Sequence, residues 1–179
     1  MTPDDILAFL HQSPPQKLSD LPRGQGLYAL YDHEHQPRYI GSTAMGLRKR
    51  IHGYHAGGDD NSHKFSTVYN AGRMFHARKD PRTDATDGPI AKKLRRLFAR
   101  AKCRAVGLEF LDLTKAELFD LETRVYSLAP PETIAWNHKK VLATIDPGQA
   151  LDDFLDEIHW SERERAAIER QAARWRGEQ

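Results

Sequence analysis

Two short apolar runs separated by a polar segment predict a β-hairpin in the first third of the chain. Residues 26–31 and 38–43 are rich in aromatic and branched side chains, whereas residues 32–37 are polar and end in proline. This composition is typical of two strands joined by a loop that is longer than the tightest hairpin turns. A third apolar run, at 103–113, predicts a third strand.

Apolar residues at helical spacing predict helices before, between and after these strands. Thr2 followed by proline is typical of a helix start, and Thr114 with Glu117 forms a capping-box pattern ahead of a long helix. A short helix is expected from Ser62, an amphipathic helix over 90–102, and two helices in the tail. We therefore expect an α/β fold: a small three-stranded, mostly antiparallel sheet flanked by helices, with a C-terminal helical extension.

The length of the chain, 179 residues, is enough for one good core and would be tight for two full domains. We expect one domain at 1–140, in which 1–23 is an N-terminal helix and lead-in and 57–88 is an insertion, followed by the extension at 141–179. The sequence contains no apolar run of membrane-spanning length and no pattern of a secretory signal, so we expect no membrane association. The single cysteine, Cys103, fits a reducing cytoplasm.

The small net charge of +2 hides a strong asymmetry along the chain. Residues 38–104 carry 16 Lys or Arg against 5 Asp or Glu, a balance of +11, whereas residues 141–179 carry 5 against 9, a balance of −4. The predicted helix at 90–102 is expected to present a basic outer face formed by Lys92, Lys93, Arg95, Arg96, Arg100 and Lys102. A concentrated positive field favours a polyanionic partner, although solvated helix faces are the commoner origin of such charge runs.

The segment directly after the hairpin predicts a short basic helix. Leu47, Ile51 and Tyr54 recur at helical spacing, and Arg50 lies one turn before Tyr54. The hairpin and this helix together bring tyrosines, arginines and histidines to one corner of the fold. Such a group of side chains suits a phosphate diester better than an apolar ligand.

These residues resemble the signature of the GIY-YIG nuclease family. The resemblance covers roughly residues 20–140 and rests on four motifs in order: Gly26-Leu27-Tyr28, Tyr39-Ile40-Gly41, Leu47-x-x-Arg50-Ile51-x-x-Tyr54, and Glu122 with the later Asn137. Leu27 stands where the family usually has isoleucine. One extra residue near Gly46 leaves Arg48 with His52 as a competing register for Arg50 with Tyr54, and the flanking Leu47 and Ile51 favour Arg50.

The resemblance implies a metal-dependent endonuclease that hydrolyses DNA phosphodiester bonds, and it implies a role for each residue. Glu122 would bind one Mg²⁺ (or Mn²⁺), a hard cation that a lone carboxylate, waters and phosphate oxygens suit better than zinc. Arg50 would pair with the phosphate, while Tyr28 would orient or deprotonate the attacking water with support from Tyr39. An ordinary tyrosine has a pKa of about 10, so it acts as a base near neutral pH only if nearby cations lower that value.

Further roles follow from position and charge. A second proton-transfer or phosphate-binding group is expected at Tyr54, His52 or His55, and Asn137 is expected to order the loop beside the metal. Contacts with nucleic acid are expected from Arg48, Lys49, His52, His55, Lys64, Arg73, Lys92, Lys93 and Arg96. Duplex and single-stranded DNA both remain open as substrates, and sequence-specific duplex cutting would call for a homodimer or a recognition module. The alternative is a nucleic-acid-binding module without activity, which would keep the basic residues and not need Glu122.

Overall fold

The computed structural model describes residues 1–58, 63–138 and 144–178. The chain divides into two compact units, the first formed by Met1–Tyr54 with Arg100–Leu142 and the second by His55–Ala99 with Ala143–Gln179. The domain boundary that the sequence analysis puts at 140 stays a prediction, and the predicted helix cap at Ser62 lies outside the described residues. Within the described ranges, no helix is both long and apolar enough to cross a membrane.

The first unit is built on an antiparallel sheet of four strands in the order β1-β4-β2-β3. Its strands are β1 (Gln16–Lys17), β2 (Gly26–Tyr31), β3 (Pro37–Thr43) and β4 (Arg104–Glu109). The predicted hairpin and the strand after residue 103 are confirmed, but the predicted count of three strands is wrong. The extra strand, β1, is a pair of exposed polar residues held to the edge of β4, so no apolar alternation marks it in the sequence.

Helices α1 (Pro3–Gln12) and α4 (Lys115–Leu128) cover one face of the sheet. Their buried side chains pack with alternate residues of β2, and this shared core consists of Ile6, Leu10, Leu27, Ala29, Tyr31, Ile40, Val106, Leu118, Val125 and Ile134. Both helices begin with the predicted caps. The side chains of Thr2 and Thr114 each accept a hydrogen bond from a backbone N–H in the first turn, and the carboxylates of Asp5 and Glu117 accept from the backbone N–H of the capping threonine. These caps fix where α4 starts and therefore which of its residues reach the sheet.

The opposite face of the sheet meets the segment that follows β3. Leu47 is buried there, and its side chain lies against Gly107 of β4, where an added Cβ would be 3.1 Å from it. The basic helix predicted at this place is a π-helix, Lys49–His55, so the assumption of α-helical spacing was wrong for it. A π-helix closes its hydrogen bonds over five residues instead of four, and this spacing changes which side chains share a face.

The turn that leads into the π-helix is tied to the segment before β2. Gly46 has φ +98°, and a Cβ at this residue would lie 2.4 Å from the carbonyl oxygen of Arg23. Two backbone hydrogen bonds of 2.9 Å continue the contact, from Leu47 N to Gly24 O and from Arg48 N to Pro22 O. Only glycine combines this left-handed backbone with so close an approach.

The second unit is helical. It contains α2 (Lys64–Val68), most of α3 (Asp87–Lys102), α5 (Gln149–Glu157) and α6 (Glu162–Arg176). Phe98 joins the core from α3, with ring centroids 5.5 Å from Tyr69 and 5.6 Å from Phe154 of α5. The tail helices are therefore part of a common core with residues of the 64–99 segment.

Arg95 departs from the predicted basic outer face of α3. Its side chain is buried, with 2% relative exposure, and its guanidinium donates to the Asn70 side chain and to the carbonyls of Met74 and His76. Helical periodicity puts Arg95 next to Leu94 on the border of the apolar face, and a charge pattern alone does not separate such a border residue from a solvated one.

Candidate active site

Two tyrosines on neighbouring strands form the centre of the candidate site. Tyr28 of β2 and Tyr39 of β3 have ring centroids 6.0 Å apart, and Tyr28 is almost fully buried. Gly41, which pairs with Tyr28 across the strands, makes room for both rings. A Cβ at Gly41 would lie 2.6 Å from Tyr39 Cε1 and 2.9 Å from the Tyr28 hydroxyl, so glycine lets the tyrosines lie over the backbone.

Arg50 joins the tyrosines from the π-helix. Its guanidinium donates a hydrogen bond to the Tyr28 hydroxyl, and the Tyr28 and Tyr39 hydroxyls are hydrogen-bonded to each other. Arg48, the competing arginine in the sequence, lines a separate surface pocket with Arg23, Lys49 and His52. The structure therefore brings Arg50 to the tyrosine pair.

Glu122 reaches the same cluster from α4. It follows the buried Leu118 by one turn and precedes the buried Val125, so it lies on the border of the apolar face that packs on the sheet. Its carboxylate accepts a hydrogen bond from the hydroxyl of Ser42 in β3. Sequence reasoning missed Ser42, because a serine after a glycine in a strand carries no pattern that distinguishes it.

The outer edge of β3 is closed by residues from the second half of the unit. Trp136 N donates to Arg38 O at 2.8 Å, and the Asn137 side chain accepts from Ile40 N at 3.1 Å and donates to Ile40 O at 2.7 Å. The Asn137 side chain thus forms the two hydrogen bonds that the backbone of one residue in a neighbouring strand would form. The next outward-facing residue along this edge is Ser42, whose hydroxyl is bonded to Glu122, so Asn137 and Glu122 contact successive outward positions of one strand.

Replacing Asn137 with alanine is expected to lower stability more than activity. The substitution removes both hydrogen bonds to Ile40 and leaves a partly buried N–H and C=O without their partners, at about 1–3 kcal/mol. We expect the melting temperature to fall by several degrees, whereas any activity that the site has should fall far less at a temperature where the variant is folded. Calorimetry and a cleavage assay on the same sample check this. A folded variant with no activity would instead mean that the amide takes part directly in the reaction.

Burial dominates the electrostatics of the cluster. Loss of solvent raises the pKa of Tyr28 well above its usual value, Tyr39 raises it further, and the charge and hydrogen bond of Arg50 offset this only in part. Burial, followed by the charge of Glu122, also raises the pKa of Tyr39. The condition set by the sequence analysis for a tyrosine base, a pKa lowered by cations, is therefore not met, and both side chains are neutral phenols at neutral pH.

The pKa of Glu122 is raised as well. Burial is the main cause, while the hydrogen bonds from Ser42 and the charge of Arg50 act in the opposite direction. Within residues 1–58, 63–138 and 144–178, no three His, Cys, Asp or Glu side chains gather as a metal centre. A half-buried carboxylate with one neighbouring hydroxyl is a donor set that fits Mg²⁺ or Mn²⁺, because these ions keep several waters and bind through one or two carboxylates plus phosphate oxygens.

The remaining candidates in the first unit lie on the π-helix. Tyr54 has 38% relative exposure. Burial lowers the pKa of His52, and the charges of Arg100 and Arg48 lower it further. The backbone carbonyl of His52 accepts a hydrogen bond of 3.2 Å from Arg100.

The candidates in the second unit have separate surroundings. His55 is fully buried, and its Nδ1 accepts from the backbone N–H of Lys64 at 3.0 Å, so its imidazole supports the fold. Arg73 forms ion pairs with Asp152 and Glu169. Lys93 pairs with Glu164 at 2.8 Å, and it lines a small cavity of about 160 Å³ together with Lys92 and Arg96.

Comparison with protein-family models, with curated proteins and with solved structures finds no match for the chain. What the protein does must therefore be inferred from the geometry and chemistry of its own residues.

Proposed function

We propose that the chain is a metal-dependent endonuclease that hydrolyses DNA phosphodiester bonds. The observation that carries the proposal is the convergence of Tyr28, Tyr39, Arg50 and Glu122 from four elements, β2, β3, the π-helix and α4. These are the residues that the resemblance to GIY-YIG nucleases selects from segments almost a hundred positions apart. A fold that buried these side chains for packing alone would have no need for a carboxylate beside two tyrosines and an arginine.

Each side chain has a task in hydrolysis. Arg50 has guanidinium donors beyond the one used by Tyr28, and its fork matches two phosphate oxygens. Tyr28 and Tyr39, as neutral phenols, orient the attacking water by hydrogen bonding. Glu122 would hold the divalent cation, which when bound would supply a water of lowered pKa and positive charge to offset that of the phosphate. Ser42 keeps the Glu122 carboxylate turned toward the site.

The chemical balance of the reaction is simple. A bond forms between the water oxygen and phosphorus, the bond from phosphorus to the leaving oxygen breaks, the water releases one proton to the solvent, and the leaving oxygen takes one up. Arg50 meets the negative charge that accumulates on the phosphate during this exchange. Tyr54, on the same helix as Arg50, is the nearest candidate in sequence for delivering the second proton.

A binding module without activity is the alternative. It would use the same basic residues, since affinity for nucleic acid comes largely from phosphate contacts. It would have no use for a carboxylate whose ionisation is made unfavourable by burial. The raised pKa of Glu122 therefore favours the enzyme, because such a group is stabilised when a divalent cation binds.

The proposal predicts cleavage of DNA that depends on a divalent cation. Supercoiled plasmid, linear duplex and single-stranded DNA would each be incubated with the protein in Mg²⁺, in Mn²⁺ and in chelator. We expect cutting of at least one substrate with metal and none with chelator, and the preferred substrate defines the subclass. Tight, salt-sensitive binding with no cutting under any condition would favour the binding module instead.

A further inference from the structure

A pocket of about 420 Å³ lies on the surface of the first unit, and the tyrosine site does not account for it. Its lining includes four groups that are cationic or can become so, Arg23, Arg48, Lys49 and His52, together with Met45. The volume is within the range of small-molecule sites. No carboxylate lines it among the described residues, which makes it a place of concentrated positive charge.

The cations of this pocket are available for a ligand. Among the described residues, Arg23, Arg48 and Lys49 take part in no ion pair. The Nε of Arg48 is buried, yet it has no hydrogen-bond partner within that part of the chain. The terminal nitrogens of the guanidinium carry further N–H donors, from which an anion oxygen in the pocket can accept hydrogen bonds.

The backbone is shaped to bring these side chains together. Arg23 belongs to the lead-in to β2 and Arg48 to the start of the next helical segment, so they are distant in sequence. The left-handed turn at Gly46 packs its Cα against Arg23 O, and the hydrogen bonds from Leu47 and Arg48 hold the two segments side by side. The extra residue near Gly46, by which the chain departs from the family pattern, thus lies in the turn that joins Arg23 to Arg48.

The lining also has an apolar part. Met45, with 49% relative exposure, supplies the apolar part. A flexible thioether beside a group of cations suits a ligand with an anionic end and a flat or apolar end. A nucleotide has this character, since its phosphate would meet the cations while its sugar or base contacts the methionine.

We propose that this pocket binds one nucleotide unit of the DNA strand, with the phosphodiester held by Arg23, Arg48 and Lys49 and the sugar or base lying against Met45. The inference rests on the proposed function for the identity of the strand. It adds a second anchoring point on the same helix that carries Arg50, so the strand is held at a phosphate other than the one that is cut. Holding the strand at two points restricts its position at the reacting phosphorus.

The first test is DNA binding in chelator, where no cleavage occurs. Arg23→Ala and Arg48→Met would be compared with wild type by fluorescence anisotropy over a salt series. The matched control is Arg124→Ala, because Arg124 is an exposed arginine on α4 of the same unit. We expect each pocket variant to bind roughly tenfold more weakly and to reduce the slope of log affinity against log salt by about 1. The control should match wild type.

His52 provides a readout that a loss of folding would not imitate. The charged groups that face it are Arg48 on its own helix and Arg100 on α3, and Arg23 and Lys49 line the same pocket. Inorganic phosphate or a short oligonucleotide bound there should raise the low pKa of His52, as followed by NMR of its ring protons. The shift should be present in wild type and in Arg124→Ala and lost in Arg23→Ala.

The outcomes separate this inference from the proposed function. Pocket variants that bind DNA as Arg124→Ala does would overturn the inference and leave the nuclease intact. Weakened binding by the pocket variants, in a protein that never cuts DNA, would support the assignment of the pocket and contradict the proposed nuclease activity. A His52 shift with inorganic phosphate, but no effect of the variants on oligonucleotide affinity, would make the pocket a site for free anions and overturn its assignment to the strand.

Discussion

Glu122→Gln is expected to abolish cleavage and to make the folded protein more stable. Glutamine keeps the size of the side chain and an oxygen that accepts from Ser42, but it is a poor ligand for a hard divalent cation. Loss of residues that merely support metal ligands reduces activity about 10–100-fold, so loss of the ligand itself should exceed a hundredfold. DNA binding in chelator should change little, since it depends on the basic residues.

The gain in stability follows from the pKa of Glu122. Because burial raises this pKa above that of the unfolded chain, the ionised carboxylate disfavours folding at neutral pH. The advantage of glutamine should be absent below the ordinary pKa of a glutamate and should grow as the pH rises through the raised pKa. Melting temperatures of both proteins across the acid range measure this. With Mg²⁺ present, only wild type should gain stability, because only it binds the ion.

Asp120→Asn is the matched control for this prediction. Asp120 is on the same helix, and its side chain is 73% exposed, so its replacement should leave cleavage unchanged. If Glu122→Gln cut DNA as wild type does, Glu122 would not hold the metal. If its melting temperature fell at neutral pH, the carboxylate would be stabilising the fold.

Arg50→Met is expected to reduce cleavage by about three orders of magnitude, the range found when a preorganised charge is removed from the transition state of phosphoryl transfer. The arginine also acts on its neighbours, because it lowers the pKa values of Tyr28, Tyr39 and Glu122. Its loss should move the pKa of Glu122 further upward. Metal binding, measured as a function of pH, should therefore begin at a higher pH in this variant than in wild type.

Two further substitutions make the arginine test specific. Arg50→Lys keeps the charge but loses the planar fork, so we expect it to recover only a small part of the activity. Arg48→Met removes the same charge two positions away, and we expect a change of about tenfold in KM, in line with a residue that binds the strand and does not contact the reacting phosphate. Equal losses in kcat for Arg48→Met and Arg50→Met would contradict the assignment of Arg50 to the site.

Much of the fold could be predicted because local chemistry and long-range packing agree. The hairpin follows from two apolar runs and a polar loop, and α4 follows from the cap at Thr114 and the stripe that contains Leu118 and Val125. That stripe also predicts that Glu122 leans toward the sheet. Asn137 lies at the sheet edge, where its side chain accepts from Ile40 N, and its expected role beside a metal stays a prediction.

The features that were missed depend on tertiary contacts or on burial. β1 consists of two polar residues whose strand conformation exists only through pairing with β4. The π-helix differs from an α-helix by one hydrogen-bond step, which periodicity over seven residues does not reveal. Burial of Tyr28 raises its pKa more than the charge and hydrogen bond of Arg50 lower it. The relative size of these two effects is known only when the packing around the ring is known.

The closed edge of the sheet has a consequence for how the protein behaves at high concentration. Amyloid-like growth and strand-to-strand dimers begin at an edge whose N–H and C=O groups are open over several residues. In the first unit, one edge strand has only two residues, and the backbone of the other is bonded at Arg38 and Ile40, while Glu122 accepts from the Ser42 hydroxyl beside it. Asn137 therefore protects the protein from aggregation, and its replacement should expose Ile40 as a starting point for assembly.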